Sequence, residues 1–375
     1  MTLRMDQVAR QLPSVLERYA AGLDGMRAGL ERAGEAMGAW TADELDGDAK
    51  ISAAMKESPQ PYALSHGEPP GAVFAPGPFE AVTVVAADGS SIDPDRYAAM
   101  GCYVINTGYV VLPYGTVGEP TLGAYAHVGP DPDNEPDVSR GGVNLLRDVK
   151  ELECGVEFAC ARTENGPVVL LLDGTLLPWD LDSPLVDQDI RARLKNRTQD
   201  ALDRLRDAPG QLAVGAYIST SGARDVVTSL RALSDAETVA WPASDGQFFV
   251  TTLHDGERSA LFRAQSERNR RAESAFSDQQ QACFFYVRIG DDVARVETPI
   301  WAATPDRVAL LHATIVDQCA RCSGYPRALQ EAHEQAVISS GDRQQFSMLL
   351  ENEASRHRLR TGTNNKQMSK RRRAL

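Results

Sequence analysis

The sequence predicts an α/β fold in which a mixed β-sheet is flanked by helices, with a long N-terminal helix in front and an insertion within. Three observations carry that expectation. Short β-branched apolar runs give way repeatedly to long stretches with apolar residues at steps of three and four. One short run, Val168-Val169-Leu170-Leu171-Leu172, is apolar at every position, the pattern of a strand covered on both faces. Strands come first as a group and then alternate with helices, which mixes antiparallel and parallel pairing in one sheet.

Taken in order, Val8, Leu12, Val15, Tyr19, Leu23, Met26, Leu30, Ala33 and Met37 form a narrow seam, so residues 4–37 are expected as one helix. Pro13 fits it badly and would kink or delay it. A seam this narrow packs on another helix, in the same chain or in a partner, which makes 1–37 a contact element. Residues 38–80, rich in Gly, Pro, Ser and acidic side chains, are expected as linker. The run Ala81–Ala87, followed by Asp88-Gly89-Ser90-Ser91, predicts a strand closed by a turn. Cys102–Asn106 and Tyr109–Tyr114 around Thr107-Gly108 predict a hairpin. Leu145, Val149, Leu152, Val156 and Ala159 place helix 142–162, ahead of the buried strand that ends in Asp173-Gly174. Helix 187–207, strand Leu212–Ile218 and helix Ala223–Leu233 follow. The polar stretch 235–280 is expected as the insertion. Strands Ala282–Ile289 and Ala294–Trp301, then helices 305–321 and 326–339, complete a domain spanning 81–350, and 351–375 is a basic tail.

Composition bounds the function. At 375 residues, 42% hydrophobic and 24% charged, the chain can bury a sizeable core, which excludes wholesale disorder. No uninterrupted apolar run reaches the roughly 18 residues of a membrane span. The N-terminus lacks the apolar core of a signal peptide, and the six cysteines show no disulfide-framework spacing. The expectation is a cytoplasmic protein without a membrane partner. A net charge of −13 opposes nucleic-acid binding, yet residues 356–375 carry eight Lys/Arg and no Asp/Glu, leaving −21 on the remainder. Carboxylate-rich bodies also arise where metal is bound. Cys319-Ala320-Arg321-Cys322 has no second pair to complete a zinc site. Absence of a G-x-x-x-x-G-K-[ST] loop means this chain is not itself an ATPase, and absence of Gly-x-Ser-x-Gly weakens a serine-hydrolase reading.

The two Asp-Gly strand ends are the sharpest chemical feature. A carboxylate at the end of a buried strand points to the sheet edge, where ligands collect in α/β folds. If the strands are neighbours, Asp88 and Asp173 converge, and a divalent cation relieves their repulsion; Mg2+ and Mn2+ favour such oxygen donors. The alternative is that each Asp only starts a turn. The preceding helix offers Glu151, Glu153 and Glu157 as a third carboxylate. Glu153 borders the apolar stripe and is the preferred candidate, with Glu151 and Glu157 behind it. Strand-Asp, strand, strand, helix-Glu, strand-Asp is the ordering of a ribonuclease-H-like fold, which suits two-metal phosphodiester cleavage. Tyr325 opens a helix on which His333 lies a little over two turns further along, near the same face. His333 could move a proton or bind metal.

Val84-Val85-Ala86-Ala87-Asp88-Gly89-Ser90, Leu171-Leu172-Asp173-Gly174-Thr175-Leu176, Ala216-Tyr217-Ile218-Ser219 and Gly324-Tyr325-Pro326…Ala332-His333…Ile338-Ser339 occur in that order. Together, over residues 80–350, they resemble the NurA nuclease family. The resemblance implies a manganese-dependent DNA nuclease of ribonuclease-H-like fold, with 5′–3′ exonuclease and single-strand endonuclease activity, working in double-strand-break end resection as a homodimer beside a HerA-type hexameric ATPase. Carried onto this sequence, it makes Asp88 and Asp173 metal ligands, completed by Tyr325 and His333. No motif fixes the helix Glu, so Glu153 stands as the third ligand on its position alone. A non-catalytic scaffold subunit of a DNA-translocase or defence complex is the alternative; it would not need to keep both Asp residues, Tyr325 and His333.

Overall fold

The structure, a computed structural model, describes residues 3–79, 81–94, 101–130, 139–177, 181, 183–234, 241, 243–265 and 280–359. Positions 360–375 of the expected tail, and 235–240, 242 and 266–279 of the expected insertion, lie outside the described residues. Two compact units form, each from two stretches of chain: Met1–Pro76 with Ser219–Val296, and Gly77–Ile218 with Glu297–Leu375.

In the first unit, α1 (Met5–Ala42) continues through Pro13 and five residues beyond the expected end. Its second half buries Ala33, Ala36, Met37 and Trp40 among Ile51, Tyr62, Phe248, Phe262 and Phe284 of the same unit. Its first half leaves Met5, Val8, Leu12, Val15 and Leu16 exposed. The expected linker carries structure: α2 (Glu44–Glu57), β1 (Tyr62–Ser65) and β2 (Val73–Phe74). Asp43 caps α2 by accepting the Asp46 amide, and Trp40 donates to Asp48 at 3.0 Å, so polar residues there terminate and tether elements.

The second unit holds the sheet that matters for chemistry. Its strands are β3 (Val82–Ile92), β4 (Tyr103–Tyr114), β5 (Thr121–Gly129), β6 (Val168–Asp173) and β7 (Leu212–Ile218). They lie in the order β7-β6-β3-β4-β5. β3, β4 and β5 pair antiparallel, while β3–β6 and β6–β7 are parallel. With helices on the sheet this is the ribonuclease-H-like arrangement. Two expectations need correction here. β3 does not turn at Asp88-Gly89 but continues to Ile92, and β4 is one strand through Thr107-Gly108 rather than a hairpin. The long mutual ladder satisfies the backbone of both segments and overrides the local turn preference of Asp-Gly and Thr-Gly. β5 completes the antiparallel trio.

The helices of this unit are α3 (Arg140–Cys160) and α4 (Gln188–Asp207). Between them and the last helices, the first unit contributes α5 (Asp225–Ala232), α6 (Asp245–Thr252), β8 (Arg258–Ser259), β9 (Phe262–Gln265) and β10 (Ala282–Ile289). Thus 235–280 is not simply irregular: its described part carries α6, β8 and β9. β11 (Asp292–Pro299) then leads to α7 (Pro305–Ala320), α8 (Arg327–Ala336) and α9 (Ser340–Arg356). Helix 326–339 was expected; α8 stops three residues short of that end, and Ser339 instead caps α9, its hydroxyl accepting the Asp342 amide while the Asp342 carboxylate accepts the Ser339 amide, a capping box.

Candidate active site

Parallel pairing puts Ala87 of β3 level with Leu172 of β6, so Asp88 and Asp173 stand side by side on adjacent strands. Asp173 is the last residue of β6, and its neighbour Gly174 donates its amide to Tyr217 of β7. Asp88 sits within β3, so register rather than a strand end brings the pair together. Successive residues of a strand face opposite sides. Gly89 therefore faces α3 and Asp88 faces α8.

Two glycines let these helices close in. A Cβ on Gly89 would meet Glu151 Oε1 and, at 2.8 Å, Arg147 Cγ, so only glycine admits Glu151 beside Asp88. A Cβ on Gly108, which is paired with Asp88, would strike backbone atoms of Ala332, Gln335 and Ala336. The last turn of α8 is then tied to the sheet: Ser90 Oγ donates to the Ala336 carbonyl, and Asn106 Nδ2 donates to the Ala336 and Gln335 carbonyls at 2.9 and 3.2 Å. These bonds satisfy carbonyls that a helix end leaves open. They also fix His333, whose Nδ1 lies 2.7 Å from Asp88 Oδ2. His333 is 68% exposed while the Asp88 side chain is 15% exposed. The imidazole is therefore held from beneath and open above.

At the other end of the segment, Tyr325 hydrogen-bonds Asp173 and packs edge-on against Tyr217, ring centres 5.7 Å apart. Burial pushes the Tyr325 hydroxyl up, and the adjacent Asp173 charge adds to the effect, so the phenol stays protonated and donates. Burial also raises the Asp173 carboxyl; the Tyr325 hydrogen bond opposes that rise and Asp88 adds to it. Glu151 rises well above the ordinary carboxylate range, first through burial and then through Asp148, with Arg147 opposing and Asp88 and Asp173 adding.

Asp88, Asp148, Glu151, Asp173, Arg147 and His333 line one cleft of about 640 Å3, a volume within the usual range of roughly 300–1,000 Å3 for ligand sites. Of the three candidate third carboxylates, Glu153 was preferred, but Glu151 is the one that lines this cleft. Glu153 faces α4 instead, where Arg197 donates to both its oxygens at 2.8 and 2.6 Å. Glu157 is exposed and stands near Tyr125. The structure thus brings Asp88, Asp173, Tyr325 and His333 together, with Glu151 in the cleft and Glu153 outside it. Arg147, Ser90, Asn106 and the two glycines were not anticipated. Gly89 beside Asp88 was the available signal, since a glycine inside a strand marks a close approach.

A family model of the NurA domain matches residues 82–338, more than half of the chain. The chain belongs to the NurA family. The match opens on β3 and closes after α8, so every residue of the cleft lies within it. Family membership makes the protein a nuclease of the NurA type. No curated protein matches the sequence. Among solved structures, NurA with manganese is 12% identical over 72% of this chain and 88% of that chain, with a TM-score of 0.38. NurA bound to dAMP and manganese is 12% identical over 72% and 87%, with a TM-score of 0.35. LC9-RNase H1 is 11% identical over 41% and 70%, with a TM-score of 0.21. At these values the structures carry no part of the NurA assignment, which rests on the sequence match. No helix among the described residues is long and apolar enough to cross a membrane.

Proposed function

We propose that this NurA-family protein is a Mn2+- or Mg2+-dependent DNA nuclease whose metal is held by Asp88, Glu151 and Asp173, with His333 and Tyr325 completing the site. The observation that carries the reading is the meeting of three carboxylates from β3, α3 and β6 in one cleft, two of them hydrogen-bonded to His333 and Tyr325. The donor set fits a hard divalent cation: all oxygen, with Glu151 and Asp173 both raised by burial and by neighbouring negative charge that a cation would relieve. Among the described residues no three such side chains already converge on one point, and Glu151 is engaged by Arg147 Nε 3.2 Å away, so in this reading side-chain rotation, that of Glu151 included, completes the site.

Bound there, the metal supplies an activated water and charge neutralisation at the scissile phosphate. The chain's own residues do the rest. Asp88 orients the His333 ring through Nδ1, leaving Nε2 to take or deliver a proton or to ligate metal. Tyr325 donates to Asp173 and holds that carboxylate in one orientation. Polarity, 5′–3′ on ends with endonucleolytic cutting of single strands, follows the NurA resemblance. So do end resection beside a HerA-type hexameric ATPase, homodimerisation and a cytoplasmic setting. The exposed Met5, Val8, Leu12, Val15 and Leu16 on α1 support a partner contact, with a second copy or the ATPase as its occupant. Digestion of end-labelled linear and of circular DNA in Mn2+, with and without the ATPase, tests the whole proposal. Linear substrate shortened from its 5′ ends supports it, and intact substrate under every condition returns the protein to the scaffold alternative.

A further inference from the structure

The cleft is strongly acidic for a site that must admit a phosphodiester. Among its lining residues Asp88, Asp148, Glu151 and Asp173 are acidic, and Arg147 is the one Lys or Arg. Arg147 lies on α3 with its side chain 32% exposed, so it is neither a core residue nor a free surface cation. Its Nη2 and Nε donate to Asp148 Oδ1 at 2.9 and 3.3 Å, and Nε lies 3.2 Å from Glu151 Oε1. Nη1 donates to no described residue. Burial works against the guanidinium charge, but Asp148 and Glu151 outweigh it. The Gly89 backbone, lacking a side chain, leaves the space in which the Arg147 stem and the Glu151 carboxylate both lie.

We propose that Arg147 is the phosphate-binding residue of this cleft, held on Asp148 and Glu151 until Glu151 turns to the metal and then engaging non-bridging oxygens of the substrate backbone. This rests on the nuclease reading above. A planar guanidinium with a fixed fork of donors matches the oxygens of a phosphate as a point-like ammonium does not. The exchange keeps charge balanced: Glu151 leaves the arginine for a cation, and the arginine takes a phosphate in its place. Asp148, the next residue on the helix, keeps the guanidinium at the cleft throughout.

The test uses full-length wild type, Arg147→Ala and Arg147→Lys on a short single-stranded oligonucleotide in Mn2+. KM and kcat are measured across a salt series, and Mn2+ binding by calorimetry without DNA. Loss of one phosphate contact should raise KM of the Ala variant by about tenfold. It should also flatten the slope of log KM against log salt by about 0.7, the share of one contact on a single strand. Mn2+ affinity should hold or tighten, because Glu151 loses its competing partner. Arg147→Lys should keep the wild-type salt slope with an intermediate KM; a flattened slope in the Lys variant overturns the inference even if the Ala variant misfolds. An unchanged slope in the Ala variant, with kcat and Mn2+ affinity both reduced, reassigns Arg147 to positioning Glu151. Wild type that leaves DNA intact sinks the nuclease reading itself, whereas active wild type beside a salt-indifferent Ala variant sinks only this inference.

Discussion

Glu151 and Glu153 are two residues apart on one helix, and exchanging each for Gln should separate catalysis from stability. Glu151→Gln removes a charge that folding disfavours, since burial and three nearby carboxylates raise its carboxyl. The folded protein should lose nothing in melting temperature and can gain. Catalysis should suffer: a lost metal ligand forfeits about 3–4 kcal/mol of transition-state stabilisation, a fall in kcat/KM of roughly two to three orders of magnitude. Glu153→Gln leaves the cleft alone but halves a bidentate ion pair in which both side chains are 33% exposed. Charge-assisted pairs of this kind are worth about 1 kcal/mol once partial solvent screening is discounted. That is a drop of roughly 2–4 °C in a domain of this size, with turnover within about twofold of wild type. Thermal melts without metal, paired with Mn2+-dependent digestion rates, read both axes on the same preparations. If Glu153→Gln is the inactive variant and Glu151→Gln digests DNA normally, the assignment of the helix carboxylate made from the cleft is wrong.

Asp88→Asn and Asp173→Asn each remove charge at near-constant volume, so both should fold, as circular dichroism would register, and lose cleavage by several orders of magnitude; near wild-type digestion by either contradicts the site. Gly108→Ala should force α8 off the sheet, lowering stability by about 1–3 kcal/mol in urea titrations and cutting kcat because His333 moves with the helix. In the other unit, Asp245 accepts from Val226 and Val227 amides and the Tyr286 hydroxyl, and burial, then Asp225, raises its carboxyl to about 7. A raised folded value means the native state binds the proton more tightly, so stability is fully present below the unfolded carboxylate value of about 3.9 and is lost as pH rises toward the folded value. Urea midpoints should fall over that window, and Asp245→Asn should flatten the curve; a wild-type curve that rises instead refutes the linkage. Deleting residues 1–16 removes only the exposed half of α1, so the chain should stay folded and lose self-association or co-purification with the ATPase; retention of both leaves that half without a partner role.

Where burial alone decides the state of a segment, the sequence was legible. Leu212–Ile218 and Ala282–Ile289 match their observed strands, because runs of apolar and β-branched residues have few other places to go. Asp88, Asp173, Tyr325 and His333 were legible because short motifs hold them at fixed places on their elements. The misread residues are those whose fate depends on a second neighbour. α3 is covered by the sheet and also by α4, so a residue beside its apolar stripe can face either; Glu153 faces Arg197, and Glu151 slips past Gly89 into the cleft. Gly89 and Gly108 read locally as turns, yet they stay extended because α3 and α8 need the space. β5, Thr121–Gly129, was missed because Gly123, Ala124, Ala126 and Gly129 dilute its strand signal and its partner strand supplies the order.

These dependencies explain how the site divides rigid from movable parts. Ser90 and Asn106 bind the last carbonyls of α8, and Gln318 Oε1 accepts the Ala328 amide at its start, so the helix bearing His333 is anchored to its neighbours at both ends. β3 and β6 share a ladder, which sets Asp88 against Asp173 through the backbone. The component left to a side-chain ion pair is Glu151, whose carboxylate lies 3.2 Å from Arg147 Nε. On the metal site proposed above, backbone pairing and helix-end bonds would hold Asp88, Asp173 and the His333 helix while Glu151 adjusts, an arrangement that would keep reorganisation small. Arg147 is the one Lys or Arg among the residues lining that cleft. The proposed exchange would link metal capture and phosphate capture through a single residue pair on one helical turn.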